Sequence, residues 1–397
     1  MKKKVAIIGG GSSALVLAAM LDEAKFEVAI YERNIALGRK FLVAGDGGFN
    51  LTHSEDNEQF ISRYSPENFI KDSIAFFNNK SVCEWFKRIG IETYIGSSKR
   101  VFPVKGVKPI DVLNAILVEL KRKNVDIKTS IIWKGWDQNR DLVFSHKEEE
   151  LVVKADIKAF ALGGKSWRVT GSDGGWFPVF EKAGIAVKPF YPSNCAYEVQ
   201  WSSVFLEQAE GKWLKNCSIN CEGFEKKGEL VITKFGLEGN AIYALSPQIR
   251  AQLLTNSYAD IYIDLKPSLS TAAIRNKIPE KKSKSVSACL KDNLNLTEAQ
   301  VAVLKERLSK DEFNNWDILI HRIKKLPIRI INFAPIDEAI STVGGVNINE
   351  VDKNFQLHKL PGNYVIGEML DWDAPTGGYL LQACFSMGAY LADKLNK

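Results

Sequence analysis

VAIIGGGSSALVLAAMLDEAKFEVAIYE, residues 5–32, carries the pattern that decides the fold. An apolar, β-rich run over Lys4–Ile8 stops at Gly9-Gly10-Gly11, and Ala14, Leu15, Leu17, Ala18 and Leu21 then recur at the spacing of an amphipathic helix. A second β-rich run, Val28–Tyr31, ends at Glu32. Strand, glycine turn, helix, strand and acid in that order form a dinucleotide fingerprint of the G-x-G-x-x-A type.

Each position has a physical reason. Gly9 permits the tight turn, Gly11 lets a pyrophosphate approach the backbone, and the small Ala14 lets the helix pack closely on its strand. The unpaired amides of the first helical turn, at Ser12 and Ser13, are then available to hold phosphate oxygens. Glu32 lies 21 residues past Gly11, followed by Arg33, and its carboxylate can accept both hydroxyls of a ribose, a role that repels a 2′-phosphate. The fingerprint alone does not separate FAD from NAD.

Composition narrows the field. With 53 basic and 47 acidic side chains the net charge is only +6, without a dominant block, so neither nucleic acid nor a membrane surface is an expected partner. Lys2–Lys4 precede a short apolar run cut by glycines rather than a signal-peptide core, and no apolar run reaches about 18 residues; a cytoplasmic protein is expected. Cys83, Cys195, Cys217, Cys221, Cys289 and Cys384 include no Cys-x-x-Cys, and the four histidines, His53, His146, His321 and His358, form no spaced pair, so no metal is expected. Cys217 and Cys221 share one strand face, where a redox disulfide competes with two buried thiols.

Three later stretches favour FAD. After "ALGRKFLV", in which Gly38-Arg39-Lys40 brings two cations near the acidic strand end, comes a second glycine-rich loop, AGDGGFNLTH, residues 44–53. Gly45, Gly47 and Gly48 read there as backbone lying flat against a flavin, with Asn50 and Leu51 beside it. A strand over about Ala155–Leu162 runs into Gly163-Gly164, where side chains would collide with a nucleotide. "TGSDGGW" follows as either a pocket wall or a plain loop. Near the C-terminus a strand, Tyr364–Ile366, leads to Gly367-Glu368, then Asp371, and Gly377-Gly378-Tyr379 opens a helix. A carboxylate there can bind ribityl hydroxyls, and the helix N-terminus can face the flavin edge that becomes negative on reduction.

At these residues the chain resembles the BaiN-like, aminoacetone-oxidase-like family of FAD-dependent flavoproteins. The shared motifs, in order, are "GGGSSA", "GRKFLVAGDGGFNLTH", "LGGKSW…TGSDGG", "ELVITKFGLEGNAI", "TVGGV" and "GEMLDWDAPTGGYLLQACFSMG", covering residue 5 to about residue 392. Most members read Gly-Arg-Cys-Asn in the second loop; here it is Gly47-Gly48-Phe49-Asn50, so the chain looks like a subgroup marked by "LDWDAPTGG", and Phe49 becomes the first position to inspect for a changed substrate.

The resemblance implies an α/β fold: a Rossmann-like, two-dinucleotide-binding FAD domain assembled from both chain ends, with an inserted β-barrel-like domain and a small helical domain. The expected boundaries are 1–188 and 333–397 for the FAD domain, 189–268 for the β-rich insert and 269–332 for the helical insert. Strand-like runs such as "CAYEVQW" and "ADIYIDL" agree with the β-rich stretch, and "TEAQVAVLKERLSK", with Thr297 as cap and Ala299, Val303 and Leu304 on one face, agrees with the helical one. In "KFGLEGNAIYALSPQ" Gly236 and Gly239 permit turns and Asn240 is a candidate cap, either closing a substrate pocket or merely starting a helix. "PEKKSKS", residues 279–285, reads as a solvated basic turn.

The expected activity is hydride transfer between flavin N5 and a small organic molecule. No second strand-linked G-x-G-x-x-G is present, so NADH or NADPH would act as a transient reductant over the flavin, or oxygen or another acceptor would reoxidise it. No residue stands out as an obligatory acid or base. The alternatives are a flavoprotein acting on RNA and an FAD-binding protein without turnover.

Overall fold

The computed structural model describes residues 1–43, 49–147, 149–278 and 285–397, so residues 279–284 of the basic turn expected over 279–285 lie outside the described residues. The chain divides into two compact units, Met1–Tyr191 with Ser341–Lys397, and Pro192–Ile340.

The first unit is built on the opening fingerprint. Strand β1 (Lys3–Ile8), helix α1 (Ser12–Met20) and strand β2 (Phe26–Tyr31) form the expected unit. Helix α2 (Arg39–Val43), strand β3 (Thr52–His53), strand β4 (Arg100–Pro103), strand β5 (Asp126–Lys128) and strand β6 (Ile157–Phe160) follow. Strand β7 (Asn363–Val365) and helix α3 (Tyr379–Asn396) close the unit. Its main sheet runs β7-β6-β1-β2-β5 with every pairing parallel. Two strands from much later in the chain, β6 and β7, therefore extend the sheet on one side of β1, and the C-terminal ends of such strands are where ligands of open parallel sheets bind.

Helix α1 departs from the expected amphipathic pattern. Ser13 to Ala19 are all buried, so the helix is enclosed on every side rather than presenting a wet face. The cause is α3: a Cβ at Gly388 would lie 2.5 Å from the Ser13 carbonyl oxygen, so the two backbones approach as closely as glycine allows. Burial of Leu15, Val16 and Leu17 each contributes on the order of 1.5–3 kcal/mol to holding this layer.

The second unit is centred on a seven-stranded antiparallel sheet in the order Leu326–Ile330, Ala259–Asp264, Trp213–Cys221, Phe224–Ile232, Gly236–Glu238, Tyr197–Glu198, Asn332–Phe333. Its two edge strands are separated in the chain by Ile331 alone, so one continuous stretch serves both edges, as in a sheet that closes on itself. Leu290, Leu304 and Ile320 from the helices share one apolar cluster with Ile219, Ile261 and Ile328 from the strands, so helices and sheet have a common core. Thr297 caps its helix reciprocally with Gln300. Asn240 does not cap: Gly239, at φ +120°, occupies that place and Asn240 is the first helical residue. Cys217 and Cys221 are buried free thiols on one strand.

Candidate functional site

The fingerprint residues come together at the C-terminal end of β1. Gly9 has φ +98°, and a Cβ there would stand 2.5 Å from the Ala161 carbonyl oxygen just past β6, so both conformation and space demand glycine. A Cβ at Gly11 would come no nearer than 3.9 Å to that same oxygen, so the space beside this residue is open. Gly11 is the N-cap of α1 and no side chain caps the helix. The turn thus leaves space and uncapped amides together, which is what a pyrophosphate requires.

Glu32, at the end of β2, is 8% exposed and fixed from both sides. Its Oε2 accepts the Gly10 amide at 2.8 Å, while Oε1 accepts the Asn34 amide and side-chain Nδ2, each at 2.8 Å. A carboxylate offers about four lone-pair directions and three are taken here, so about one remains for a ribose hydroxyl. Asn34 extends the network, taking a bond from Arg39 Nη1 at 2.9 Å and giving one to the Thr170 carbonyl at 3.3 Å. Arg33 pairs with Asp173 at 2.8 Å. Burial alone would raise the Asp173 carboxyl, but Arg33 and the Gly175 amide outweigh it and hold it below its ordinary range.

A second group forms around Gly163 and Gly164. The Trp176 indole donates to the Gly163 carbonyl at 2.9 Å. A side chain on Gly164 would overlap the Thr342 hydroxyl and crowd Glu368. Glu368 accepts the Thr342 amide at 3.1 Å through Oε1 and Lys40 Nζ at 2.8 Å through Oε2, and the same ammonium reaches Ser166 Oγ at 2.8 Å. Lys40 and Glu368 are therefore neighbours in a half-buried ion pair. Asp371 faces elsewhere in the same wall, accepting the Gly344 amide at 3.0 Å and Lys188 at 2.7 Å.

The third group lies at the start of α3. Gly367 packs against Ser13, Gly377 against Arg100 at 3.2 Å from a would-be Cβ, and Gly378, at φ +104°, against the Thr52 backbone at 2.5 Å. The Tyr379 hydroxyl donates to Glu55 Oε1 at 2.5 Å, so this side chain turns into the protein and only its backbone opens the helix. Leu51 is fully buried and its amide bonds the Val101 carbonyl at 2.8 Å. Asn50 is half-buried. Phe49 is 7% exposed and packs edge-to-face on Phe41 at 4.9 Å, within the apolar core cluster. Gly47 and Gly48, with Gly45, lie outside the described residues.

Sequence reasoning misses Asn34, Ser166, Thr342 and Glu55. Asn34 carries a readable signal, an amide side chain two residues past the ribose acid, where Asn folds back on local backbone. Thr342 opens the "TVGGV" motif, but nothing in the chain there announces a contact with Gly164. Among the described residues no group of three or more His, Cys, Asp or Glu is placed to hold a metal ion, and no helix is long and apolar enough to cross a membrane.

The family described as HI0933-like protein Rossmann domain matches residues 3–394. The chain is 24% identical to 3-dehydro-bile acid delta(4,6)-reductase of Clostridium scindens over 98% of each protein. It is 23% identical to ribosomal RNA dihydrouridine synthase of Haemophilus influenzae, covering 96% of this chain and 95% of that one. Among solved structures, a flavocytochrome c3 fumarate reductase in its open conformation superposes with TM-score 0.53 at 12% identity, over 100% of this chain and 78% of that one. The 3-ketosteroid-delta4-(5alpha)-dehydrogenase of Rhodococcus jostii RHA1 superposes with TM-score 0.52 at 12% identity, over 100% and 97%.

Proposed function

Because the chain belongs to the HI0933-like Rossmann family, we propose that it is an FAD-dependent oxidoreductase working as a reductase on a small organic molecule. The observation that carries this reading is the uncapped, open turn at Gly11 with Glu32 fixed beside it. The residues present fit FAD: the α1 amides at Gly11, Ser12 and Ser13 would hold the pyrophosphate, and Glu32 the adenosine ribose. Lys40, Glu368 and the backbone of Gly163–Gly164 would line the ribityl side. Bound FAD would supply hydride transfer at N5.

The chain's own residues then position and insulate. Glu32 stiffens the glycine turn through the Gly10 amide, so the phosphate-binding amides are set before a ligand arrives. Lys40, held by Ser166 and Glu368, keeps a cation inside the site while Glu368 limits its reach. The amides at the start of α3 lack a side-chain cap and can face developing negative charge. NADH or NADPH as the reductant is part of the proposal, favoured by the reductase relative of matching length.

The test is anaerobic flavin bleaching of the purified protein with NADH, NADPH, amines and hydroxy acids. Bleaching by a reduced nicotinamide is expected; bleaching by an amine alone would replace the reductase with an oxidase. A colourless protein with no binding in a flavin titration would remove FAD altogether. A second reading, action on ribosomal RNA, is favoured by the dihydrouridine synthase relatives. It predicts lost dihydrouridine in the ribosomal RNA of a deletion strain.

A further inference from the structure

Two segments from opposite ends of the chain are stitched together beside the start of α3. The Tyr379 hydroxyl donates to Glu55 Oε1 at 2.5 Å, and the Tyr379 carbonyl accepts the Tyr64 hydroxyl at 2.8 Å. Ser65 and Asp373 exchange backbone bonds in both directions, at 2.9 and 2.8 Å. Thr52 Oγ1 donates to Gln382 Oε1 at 2.6 Å, and Gly378 lies directly on the Thr52 backbone. Glu55 is itself gripped by Arg63 through two parallel bonds, Nε at 3.1 Å and Nη2 at 3.0 Å, and its backbone carbonyl accepts Asn79 Nδ2 at 2.9 Å. The fork fixes the carboxylate plane, so the point to which Tyr379 is tied is rigid.

We propose that Glu55 is a positioning residue for the flavin: through Tyr379 it fixes the angle and depth at which the uncapped N-terminus of α3 faces the site. The proposal rests on FAD being bound, as read above. Helix α3 is 18 residues long and no side chain caps it, so its first amides carry a lasting partial positive charge. That charge is worth most when its distance from the developing negative charge is held constant, because in a site shielded from water a pre-set donor needs no reorganisation. Local sequence does not set the distance, since glycines occupy both positions before the helix. The restraint comes from Tyr379, the first residue of α3, which is held at its hydroxyl by Glu55 and at its carbonyl by Tyr64.

A purely structural role would lower stability and leave the bound flavin's electronics alone. The experiment therefore uses full-length protein loaded with FAD and compares wild type, Y379F, E55Q and E55A. It measures FAD dissociation by flavin fluorescence and the two-electron midpoint potential at saturating FAD. Y379F, which removes a single oxygen, is expected to bind FAD about tenfold more weakly. It should also lose about tenfold of the preference for reduced over oxidised flavin, a potential about 30 mV more negative. E55Q keeps an acceptor for the tyrosine but weakens the arginine fork, and should fall between wild type and Y379F; E55A should be at least as impaired as Y379F. If E55A does not fold, Y379F and E55Q decide. Wild-type affinity and potential in Y379F would overturn the proposal, and so would weaker binding with an unchanged potential, the mark of a loosened fold alone. Wild-type protein that takes up no FAD would instead overturn the FAD reading.

Discussion

The first glycine turn and the junction at the start of α3 are both tight, glycine-dependent and rich in hydrogen bonds, yet they are made in opposite ways. Around the Glu32 carboxylate, partners are chain neighbours: Glu32 meets Gly10 at a separation of 22 residues and Asn34 at 2. At the junction, and in the Gly163–Gly164 group, they are distant: Lys40 meets Glu368 at 328, Thr52 meets Gln382 at 330 and Tyr379 meets Glu55 at 324. A local site forms with the element that carries it, whereas the junction forms only when both chain ends have docked. Damage to the Glu32 network should thus fall mainly on one supersecondary unit, and damage to the junction on the union of the two ends.

The largest expected effect lies at Gly9, where the turn meets a distant strand end. Gly9→Val places a β-branched side chain at φ +98° against the Ala161 carbonyl, in the wall between β1 and β6. Left-handed backbone costs about 1–2 kcal/mol and forced overpacking about 1–3 kcal/mol more. Thermal and denaturant unfolding should show roughly 3.5 kcal/mol lost, the middle of those two ranges combined, with little soluble protein. A variant of wild-type stability would mean the turn is not held as described.

Next in size is Lys40→Met, aimed at the long-range side. It leaves Glu368 half-buried without its cation, while the Thr342 amide still bonds it. Partial exposure screens the loss, so stability should fall by about 1 kcal/mol. FAD affinity should fall about tenfold, as measured by fluorescence titration. If both quantities are unchanged, the Lys40–Glu368 pair is a surface feature rather than part of the site.

The same contrast explains what can be read without a structure. The turn announces itself because its chemistry is periodic and local: β-run, glycines at fixed offsets, helix, β-run, acid. The C-terminal glycines are also readable, since Gly378 precedes a long apolar helical pattern. What Gly378 touches is not, because contact with Thr52 depends on a docking that no spacing encodes. Phe49 shows the limit in the other direction. Its departure from the family pattern suggests a pocket residue, and the structure packs it on Phe41 in the core cluster. An apolar residue inside a glycine-rich loop has two destinations, and sequence alone does not choose between them. Glu55 escapes notice for a similar reason, as one acid among many, made distinctive only by Arg63 and Tyr379.

Acid titration separates the two regions with a smaller effect. Burial lowers the His53 pKa most strongly, with Glu55 opposing it. Burial also works to raise the Glu55 carboxyl, but the bonds from Arg63 and Tyr379 prevail and hold it low. Both folded values lie below the unfolded ones, so both groups stabilise the fold above the unfolded pKa and lose that contribution as pH falls. For His53 the loss begins at about pH 6.5, and for Glu55 at about pH 4.3. The junction should therefore weaken in two stages on acidification. His53→Gln should flatten the change in thermal midpoint between about pH 7 and about pH 5 without altering the lower stage. An unchanged slope would show that His53 titrates as it does in the unfolded chain.

The smallest expected effect returns to the turn. Asn34→Ala removes one bond to Glu32, one to Thr170 and the acceptor of Arg39, but the Asn34 backbone amide still donates to Glu32. The Gly10 amide holds the other carboxylate oxygen, so the acid keeps its place. The bond to the Thr170 carbonyl is neutral and worth about 0.5–1.5 kcal/mol, while those to the ionised Glu32 and Arg39 are charge-assisted but partly solvent-screened. Stability should drop by about 1 kcal/mol and FAD affinity by about threefold. A tenfold or greater loss of FAD would mean that Asn34 supports the nucleotide as directly as Glu32 does, and that the local half of the site is as cooperative as the junction.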